Sequence, residues 1–436
     1  MALRAPRGTE DLLPKAYTNW KFLTDKADEI FSRYGYLYIE TPIFEHLDVF
    51  VHGIGESSDV VSKEMFRVLS PDAYSKVVSG ASENLKADQK LALRPEGTAS
   101  VVRAVLEHSL LRPGSAPIKL MYAGPMFRAE RQQRGRLRQF HQIGAECLGA
   151  PDAMADAEVI IMLMEFFEAV GLKKDSLKLL INTLGDDNCR PQYRQEIQEY
   201  ILQYQDELPE ETLRQAKLNP LRAFDSKHER VQEIMSKAPL LKDRLCDECK
   251  KHYEALKSYL DEAQITYEED PRLVRGLDYY TRTVFEVQVR DGLGAQNAIG
   301  GGGRYDKLIE ISGGKQTPAL GFAVGMERIL LALEDQNALP ALPTKKQVFV
   351  ALPTENTKAE TFRLVQKLRQ EGFVVETDYQ SRSLKSQLKL ANKLQVAYVL
   401  IMGEEELEQN KVRLKNMEEG TEELVSLADI SSHIVL

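Results

Sequence analysis

The chemistry-bearing side chains of this sequence are concentrated first in residues 126–142. This stretch contains five arginines and a single glutamate. Cations crowded into one loop repel each other unless anions lie nearby. Phosphates are their natural partners, because a guanidinium group offers a rigid fork of donors. The alternative for this stretch alone is a solvated loop with surface ion pairs.

A second segment, residues 273–286, places two arginines beside the adjacent Tyr279 and Tyr280. Tyrosine hydroxyls can orient a small polar substrate, whereas the alternative is an amphipathic strand edge. The run Gly300–Gly303 indicates either a tight bend between strands or a close approach to a ligand. The pair Gly314-Lys315 is not a phosphate-binding P-loop, since it lacks the required earlier glycine and following Ser or Thr.

Length and composition bound the architecture that must position these residues. The chain has 436 residues, of which 43% are hydrophobic and 28% charged, with a net charge of −9. These values predict roughly two to four domains and exclude wholesale disorder. They also exclude a uniformly basic coat for nucleic acid, although a local basic surface remains compatible with them.

The cellular setting follows from cysteine usage and apolar runs. Four cysteines are too few to cross-link a chain of this length, which favours a reducing compartment. The N-terminal residues have no apolar signal core. The apolar runs 159–164 and 397–402 are far shorter than the ~20 residues of a membrane span. We expect a cytoplasmic protein without a membrane partner.

Periodicity predicts the main elements. A helix over residues 18–34 should end at Gly35, and Asp156 should cap a helix that ends at Gly171. A loop is expected at 79–89. The other predicted helices cover residues 97–111 and 326–333, and the predicted strands cover 36–40, 119–122, 142–147, 285–289 and 298–302.

Three composition changes divide the chain. Residues of about 187–263 contain few β-branched side chains and read as a helical insertion. A proline-punctuated linker is expected at 336–345. Residues 346–436 alternate strand and helix, as in an α/β domain. We therefore expect an α+β domain over 1–335 that contains the insertion, followed by the linker and the α/β domain.

Taken together and in order, several segments resemble the histidyl-tRNA synthetase family of class II aminoacyl-tRNA synthetases. Three segments are similar to class II motifs 1, 2 and 3, and three others to sequences particular to the histidine enzymes. The resemblance spans nearly the whole chain. The segments are residues 7–42, 127–140 and 321–328 for the motifs, and 93–98, 275–280 and 302–306 for the histidine-specific sequences.

The resemblance implies a catalytic domain built on an antiparallel sheet and a C-terminal anticodon-binding domain. It also implies a histidine–tRNA ligase, which forms histidyl-adenylate from L-histidine and ATP and transfers histidine to the 3′ end of tRNA(His). The alternative is a histidine-binding regulatory subunit of ATP phosphoribosyltransferase, or a tRNA-sensing module of a kinase regulator. Regulatory subunits of this kind generally lack the C-terminal domain and parts of the 275–280 segment, whereas this chain keeps both. A kinase regulator would need a kinase domain, and none is visible here.

For ATP, the resemblance implies that Arg128 and Arg275 act as catalytic residues at the α-phosphate. Mg²⁺ is expected with the β- and γ-phosphates. Carboxylate attack needs no general base, so positioning and charge stabilisation should carry catalysis. The implied ATP-binding residues are Arg128, Glu130, Arg136, Phe140 and Arg328.

For histidine, the resemblance implies that the ammonium group is bound by Glu96, Thr98 and Gln142. It also implies that Glu146 and Tyr280 form hydrogen bonds with the two imidazole nitrogens. A site of this kind rejects analogues that lack those groups, so no editing domain is expected. The full implied set is Glu96, Gly97, Thr98, Arg128, Gln142, Glu146, Arg275, Tyr279, Tyr280 and Tyr305.

The resemblance also implies a homodimer formed through the helix at 18–34, and anticodon binding by the C-terminal domain. Within that domain four cations fall at spacings of three, four and four, and no acidic residue occurs from Tyr379 to Gly403. RNA phosphates are the functional partner, whereas a solvated helix face is the alternative. The four are Arg382, Lys385, Lys389 and Lys393.

A possible zinc site lies in the insertion. Cys246 and Cys249, with His252, have a zinc-like spacing, and many bacterial relatives have a second cysteine pair near residue 185. This chain has only Cys189 there. Free thiols are the favoured interpretation, and zinc at Cys189, Cys246, Cys249 and His252 is the alternative.

Overall fold

The structure is a computed structural model that describes residues 3–55, 58–112, 114–226, 228–290, 297–340, 347–352 and 354–434. The chain divides into two compact units at Pro340. Residues 341–346, which include the end of the predicted linker and the first residue of the predicted C-terminal domain, lie outside the described residues.

The first unit is built on an eight-stranded sheet in the order β1-β5-β6-β11-β10-β9-β7-β8. Neighbouring strands are antiparallel except at the two edges, where β1 and β8 run parallel to their neighbours. Strands β2, β4 and β3, in that order, form a separate small sheet. The strands are β1 (Leu37–Tyr38), β2 (Phe44–His46), β3 (Arg67–Val68), β4 (Leu91–Leu93), β5 (Ile118–Phe127), β6 (Gln139–Leu148), β7 (Leu177–Thr183), β8 (Glu268–Glu269), β9 (Thr281–Val289), β10 (Ala298–Arg304) and β11 (Ala319–Gly325).

Helices cover both faces of this sheet. Side chains of α1, α5 and α11 form one large apolar core with alternate residues of the strands, and α4 and α10 contribute to a second core. The helices are α1 (Pro14–Arg33), α2 (Leu47–Ile54), α3 (Pro71–Val78), α4 (Thr98–Glu107), α5 (Ala153–Ala169), α6 (Arg190–Leu202), α7 (Glu210–Leu218), α8 (Glu229–Met235), α9 (Asp247–Glu262), α10 (Leu308–Ile311) and α11 (Met326–Asp335).

Three helix ends differ from their prediction by more than two residues, and one of them is the end of α4, at Glu107 and not at residue 111. Helix α1 starts four residues early, at Pro14, because proline suits the first turn, where no backbone donor is needed. Helix α5 is capped by Asp152, whose carboxylate accepts the Met154 amide at 2.8 Å. Asp156, the predicted cap, is instead buried within the helix and forms an ion pair with Arg304 at 2.6 Å. The predicted loop 79–89 contains two short 3₁₀ turns.

The described residues of the span 187–263 form helices and turns only. Helices α6, α7 and α8 share a small apolar core of their own. Helix α9, however, packs on the main sheet core through Tyr253, Leu256 and Leu260. Only the earlier helices of the span therefore form a separate cluster.

The second unit is a five-stranded sheet in the order β13-β12-β14-β15-β16. The first three strands are parallel, and the last two run antiparallel. No helix among the described residues of the chain is long and apolar enough to cross a membrane. The elements are β12 (Gln347–Ala351), α12 (Lys358–Gln370), β13 (Val374–Thr377), α13 (Leu384–Lys393), β14 (Tyr398–Ile401), α14 (Glu404–Glu408), β15 (Lys411–Asn416), β16 (Glu422–Ser426) and α15 (Ile430–His433).

Candidate active site

A cavity of about 300 Å³ is lined by strands β6, β9, β10 and β11, by the arginine-rich loop and by residues 275–280. Period-two alternation along β6 explains its composition. Gln142 faces the cavity, while Ile143, Ala145 and Cys147 enter the core. The predicted site residues that line the cavity are Glu96, Thr98, Arg128, Glu130, Arg136, Phe140, Gln142, Arg275, Tyr279, Tyr280, Tyr305 and Arg328.

Two of the cavity arginines are positioned by backbone carbonyl groups. The Nε of Arg128 donates to the carbonyl of Pro95 at 3.0 Å, and its guanidinium lies 5.2 Å from the centroid of the Phe140 ring. Arg328 donates to the carbonyl of Ala298 at 2.7 Å. Burial lowers the pKa of both groups. Both side chains are therefore partly fixed before any ligand arrives.

Two other arginines are paired with carboxylates that also line the cavity. Arg275 forms an ion pair with Glu286, and Arg136 with Glu130. Burial is the largest single influence and opposes the charge of Arg275, but Glu286, Tyr280 and Tyr279 act together against it and raise the pKa. Burial lowers the pKa of Arg136. With four arginines in one cavity, an anionic ligand would relieve mutual repulsion.

Glu146 is fully buried and does not line the cavity. Its carboxyl group accepts hydrogen bonds from the hydroxyls of Thr98 at 2.7 Å, of Tyr122 at 3.3 Å and of Tyr305. Burial raises the pKa of Glu146 to about 8, against the opposing effect of these hydroxyl donors. Glu146 is thus the hub of a hydroxyl network whose outer members, Thr98 and Tyr305, face the cavity.

Glu96 and Gln142 present oxygen atoms on the cavity wall. The Glu96 carboxylate accepts the backbone amides of Thr98 at 2.7 Å and Ala99 at 2.8 Å, which caps helix α4. Burial raises the pKa of Glu96. The buried Oε1 of Gln142 has no hydrogen-bond donor among the described residues. An unsatisfied buried acceptor is costly, so this oxygen is suited to a ligand N–H.

Gly97, a predicted histidine-binding residue, does not line the cavity. A Cβ at Gly97 would lie 2.3 Å from the ring of Tyr122, and a Cβ at Gly144 would lie 2.2 Å from it. The two glycines therefore hold the Tyr122 ring between them. Gly97 contributes space for the hydroxyl network and no cavity surface.

The run Gly300–Gly303 lies within strand β10, between β9 and β11. The bend interpretation is therefore wrong. A Cβ at Gly301 would lie 2.9 Å from the Arg275 guanidinium carbon, and one at Gly303 would lie 3.0 Å from the Tyr280 ring. The glycines let these two site residues lie close to the backbone of β10.

Sequence reasoning missed two cavity carboxylates, Glu286 and Glu327. Glu286 ends the tyrosine-containing segment 273–286, and Glu327 lies within the motif-3-like segment 321–328. Along β9, Glu286 alternates with the buried Phe285 and Val287, so strand periodicity could have placed it on the cavity face. Glu327 accepts the backbone amide of His141 at 2.9 Å and contacts its Nδ1 at 2.8 Å. No local pattern signals that pairing.

Comparison with known proteins places this geometry in a family. A family model described as histidyl-tRNA synthetase matches residues 8–329, and a model described as anticodon binding domain matches residues 347–435. The chain belongs to the histidyl-tRNA synthetase family. Membership confirms the predicted class of enzyme, an aminoacyl-tRNA synthetase, and the α+β fold with its C-terminal α/β domain.

Individual members of the histidyl-tRNA synthetase family match over the full length. A histidine–tRNA ligase of Desulforamulus reducens is 44% identical over 99% of this chain and 98% of its own. One from Caldanaerobacter subterraneus subsp. tengcongensis is 42% identical over all of both chains. The crystal structure of apo S. aureus histidyl-tRNA synthetase superposes with a TM-score of 0.81 and 34% identity over 99% of each chain.

The predicted tRNA-binding cations of this synthetase-family chain lie in the second unit, and one differs from its prediction. Lys385, Lys389 and Lys393 are exposed along helix α13. Arg382 precedes the helix, and its guanidinium pairs with the Asp378 carboxylate at 2.7 Å. Arg382 is therefore not part of the helical face, and its charge is largely compensated.

The predicted zinc ligands are also not all together. His252 points away from the cysteines, with its Nε2 lying 3.2 Å from the buried Asp156 carboxylate. His252 is therefore wrong as a ligand. The three cysteines are instead joined by Asp186, and one ligand atom from each of the four residues lies within 4.8 Å of the others.

Proposed function

We propose that this chain is a histidine–tRNA ligase, which activates L-histidine with ATP and transfers histidine to the 3′ end of tRNA(His). The observation that carries the proposal is a single cavity in which four arginines face oxygen acceptors suited to an ammonium group. The arginines suit a triphosphate, and the acceptors suit the amino group of an amino acid. A cytoplasmic location is part of the same proposal.

In the first step, a carboxylate oxygen of histidine attacks the α-phosphorus of ATP, and the bond to the bridging oxygen breaks to release pyrophosphate. No general base is needed, because the nucleophile is already ionised at neutral pH. Arg128 and Arg275 would stabilise charge on the α-phosphate oxygens. Since carbonyl and carboxylate partners already hold these two side chains, little reorganisation is required during the reaction.

For the rest of ATP, we propose that Arg136 and Arg328 bind the terminal phosphates and that Glu130 and Phe140 bind adenine. Arg136 pairs with Glu130, and Arg128 lies over Phe140. The contact between Arg136 and Glu130 would be exchanged for contacts to ATP, whereas Arg128 would keep its bond to the Pro95 carbonyl. Such an exchange offsets the cost of removing each side chain from its protein partner.

We propose that Mg²⁺ accompanies the β- and γ-phosphates. Mg²⁺ prefers oxygen ligands and needs only one or two protein carboxylates, because phosphates and water complete its shell. Glu286 and Glu327 line the cavity and would supply those oxygens. The ion would neutralise charge on the departing pyrophosphate.

For histidine, we propose that Glu96, Thr98 and the Oε1 of Gln142 receive the ammonium group. The hydroxyls of Tyr280 and Tyr305 would face the imidazole, with Tyr279 packed behind them at 4.7 Å and 5.5 Å between ring centroids. Glu146 would act through Tyr305, since it does not reach the cavity. A neutral Glu146 can donate as well as accept a proton, so the network can adapt to either imidazole nitrogen.

We propose that the protein is a homodimer formed around α1 and β1. Strand β1 is an unpaired edge of the main sheet, and Leu37 and Phe44 are 72% and 53% exposed. Unpaired edges with exposed apolar side chains favour association. Leu37→Glu should shift sedimentation towards the monomer, whereas Phe362→Glu, at an exposed apolar position in α12, should not. A monomeric parent protein would contradict the proposal.

The direct test of function is histidine-dependent exchange between ATP and pyrophosphate by the purified chain, followed by charging of tRNA(His). Exchange that requires histidine and is absent with other amino acids supports the ligase. Histidine binding without exchange would instead favour the regulatory-subunit alternative. Exchange without charging would restrict the proposal to amino-acid activation.

A further inference from the structure

We propose that Asp186, Cys189, Cys246 and Cys249 bind a zinc ion that fixes the base of the helical insertion. None of the four lines the catalytic cavity. Two buried thiols, one half-buried thiol and a half-buried carboxylate converge there, although sequence separates the pairs by about sixty residues. Three soft sulfur ligands and one anionic oxygen favour zinc in a tetrahedral site.

Three of the six distances between ligand atoms are close to the edges of a tetrahedron, and all six are within 4.8 Å. With metal–sulfur bonds of about 2.3 Å, the edges of such a site are about 3.8 Å, and slightly less when one ligand is oxygen. The Sγ atoms of Cys189 and Cys249 are 3.9 Å apart. The Oδ1 of Asp186 lies 3.8 Å from the Sγ of Cys189 and 3.7 Å from that of Cys246. Sulfur atoms 3.9 Å apart are not a disulfide, whose bond is about 2.05 Å.

Charge compensation around the four residues also suits a metal site. Zinc binding would remove a proton from each of the three thiols, which leaves three thiolates and one carboxylate around a dication. Arg282 donates to the Oδ2 of Asp186 at 3.0 Å and supplies a further positive charge. Cys189 and Cys246 are the N-cap residues of α6 and α9. Each helix N-terminus contributes about half an elementary positive charge.

The backbone around the site is shaped for close approach. Gly185 has φ +62°, and a Cβ there would lie 2.6 Å from the Sγ of Cys189. The amide of Arg282 donates to the carbonyl of Gly185 at 2.7 Å, and the amide of Leu184 to the carbonyl of Arg282 at 2.6 Å. Asp186 and Cys189 lie on a loop that these bonds anchor to strand β9. The Arg282 guanidinium also donates to Asp186, and metal-binding carboxylates normally have such a neighbouring donor.

The position of the site indicates its purpose. It joins the end of β7 and the start of α6 to the start of α9, where the insertion leaves and rejoins the sheet. Arg190, the first residue of α6, donates to the carbonyl of Tyr280. A zinc ion here would therefore stabilise the connection that supports Tyr280, on the cavity wall.

Metal analysis of the full-length protein tests the proposal. Protein purified under reducing conditions, loaded with zinc and washed in metal-free buffer should retain one zinc ion per chain. Replacement by Co²⁺ should give sulfur-to-cobalt charge-transfer bands and the intense ligand-field bands of a tetrahedral site. Removal of zinc by a chelator should lower the midpoint of thermal unfolding, and added zinc should restore it.

Variants then locate the ion. Changes beyond the ligand shell typically weaken binding about 10- to 100-fold, so Cys249→Ser and Asp186→Asn should weaken it at least ~100-fold in competition with a chromophoric chelator. Cys147→Ala, at the one cysteine outside the cluster, and His252→Asn are controls that should retain the ion. Asp186→Cys should retain zinc as well as the parent does, so the proposal remains testable if the first two variants fold poorly.

Three results would overturn the proposal. The first is a parent protein that retains no stoichiometric zinc while its thiols react freely. The second is a disulfide between Cys189 and Cys249 in protein kept reduced, shown by mass spectrometry. The third is zinc that survives Cys249→Ser unchanged, or that is lost in His252→Asn but kept in Asp186→Asn.

Discussion

The cations of the catalytic cavity and those of helix α13 differ in how they are held. Arg128, Arg275 and Arg328 are partly or wholly enclosed, and each has a carbonyl or carboxylate partner. Lys385 and Lys389 are exposed and have no ion-pair partner among the described residues. Fixed, desolvated cations can stabilise charge that develops during a reaction, whereas mobile, hydrated ones contribute affinity that salt weakens. The former arrangement suits catalysis and the latter suits docking of RNA.

Replacement of Arg275 should give the largest effect. Loss of one preorganised donor typically costs about 10² to 10³ in rate, so Arg275→Ala should slow adenylate formation by that factor in pre-steady-state measurements. Arg275→Lys should also be impaired, because it keeps the charge but loses the guanidinium fork that would meet the α-phosphate. The defect should not change with salt.

Arg131→Ala is the control, since Arg131 is an exposed arginine of the loop between β5 and β6 and does not line the cavity. A rate for Arg275→Ala within about threefold of the parent, too small for a lost transition-state donor, would make Arg275 a structural residue. Another arginine or a metal would then have to stabilise the α-phosphate.

Separation of the two units should give the next largest effect. All cavity-lining residues precede Pro340, where the chain divides. Residues 1–339 alone should therefore keep adenylate formation near the parent rate. Joining two binding surfaces raises avidity by about 10² or more, so kcat/KM for tRNA should fall by about that factor. Undiminished charging by the fragment would show that the second unit does not anchor tRNA.

The contrast between the two regions also explains what could be predicted from sequence. Arg128 and Arg328 belong to short recognisable motifs. Their presence in one site could therefore be expected from the resemblance to the family. Glu146 could not be placed as an interior hub, because its partners Thr98, Tyr122 and Tyr305 are far apart in sequence. The same limit applies to Asp186, which joins the cysteines through the path of the backbone.

Secondary-structure predictions show the same contrast between local patterns and long-range contacts. Alternation predicted strands where β5 and β6 lie, but not their full ten residues, since ladder pairing extends strands beyond their apolar centres. The glycines of β10 suggested a bend, because their close contacts with Arg275 and Tyr280 come from other segments. Asp156 resembled a cap, although its partner Arg304 lies 148 residues later. Long-range pairing decided each of these cases.

Replacement of the Glu146 carboxyl group should change the pH dependence of stability. Its pKa of about 8 in the folded protein exceeds the usual value of 4.5, so folding takes up a proton between these values. The free energy of unfolding should therefore fall as pH rises through this window, by at most about 1.4 kcal/mol per pH unit. Glu146→Gln, which cannot ionise, should remove that slope in denaturant titrations. Equal slopes in both proteins would show that Glu146 titrates normally.

Replacement of single lysines on α13 should give the smallest effect. It tests the proposal that these exposed cations dock RNA. If Lys389 contacts one RNA phosphate, Lys389→Ala should raise KM for tRNA only a few-fold. The slope of log affinity against log salt should fall by about one, and histidine-dependent pyrophosphate exchange should not change. Lys358→Ala is the control, because Lys358 is also an exposed lysine of this unit but pairs with Glu355 at 3.1 Å. Unlike the Arg275 defect, the Lys389 defect should shrink as salt rises, since screening already weakens the lost contact. An effect of Lys389→Ala on exchange, or one that does not change with salt, would mean that this helix is not an electrostatic docking surface.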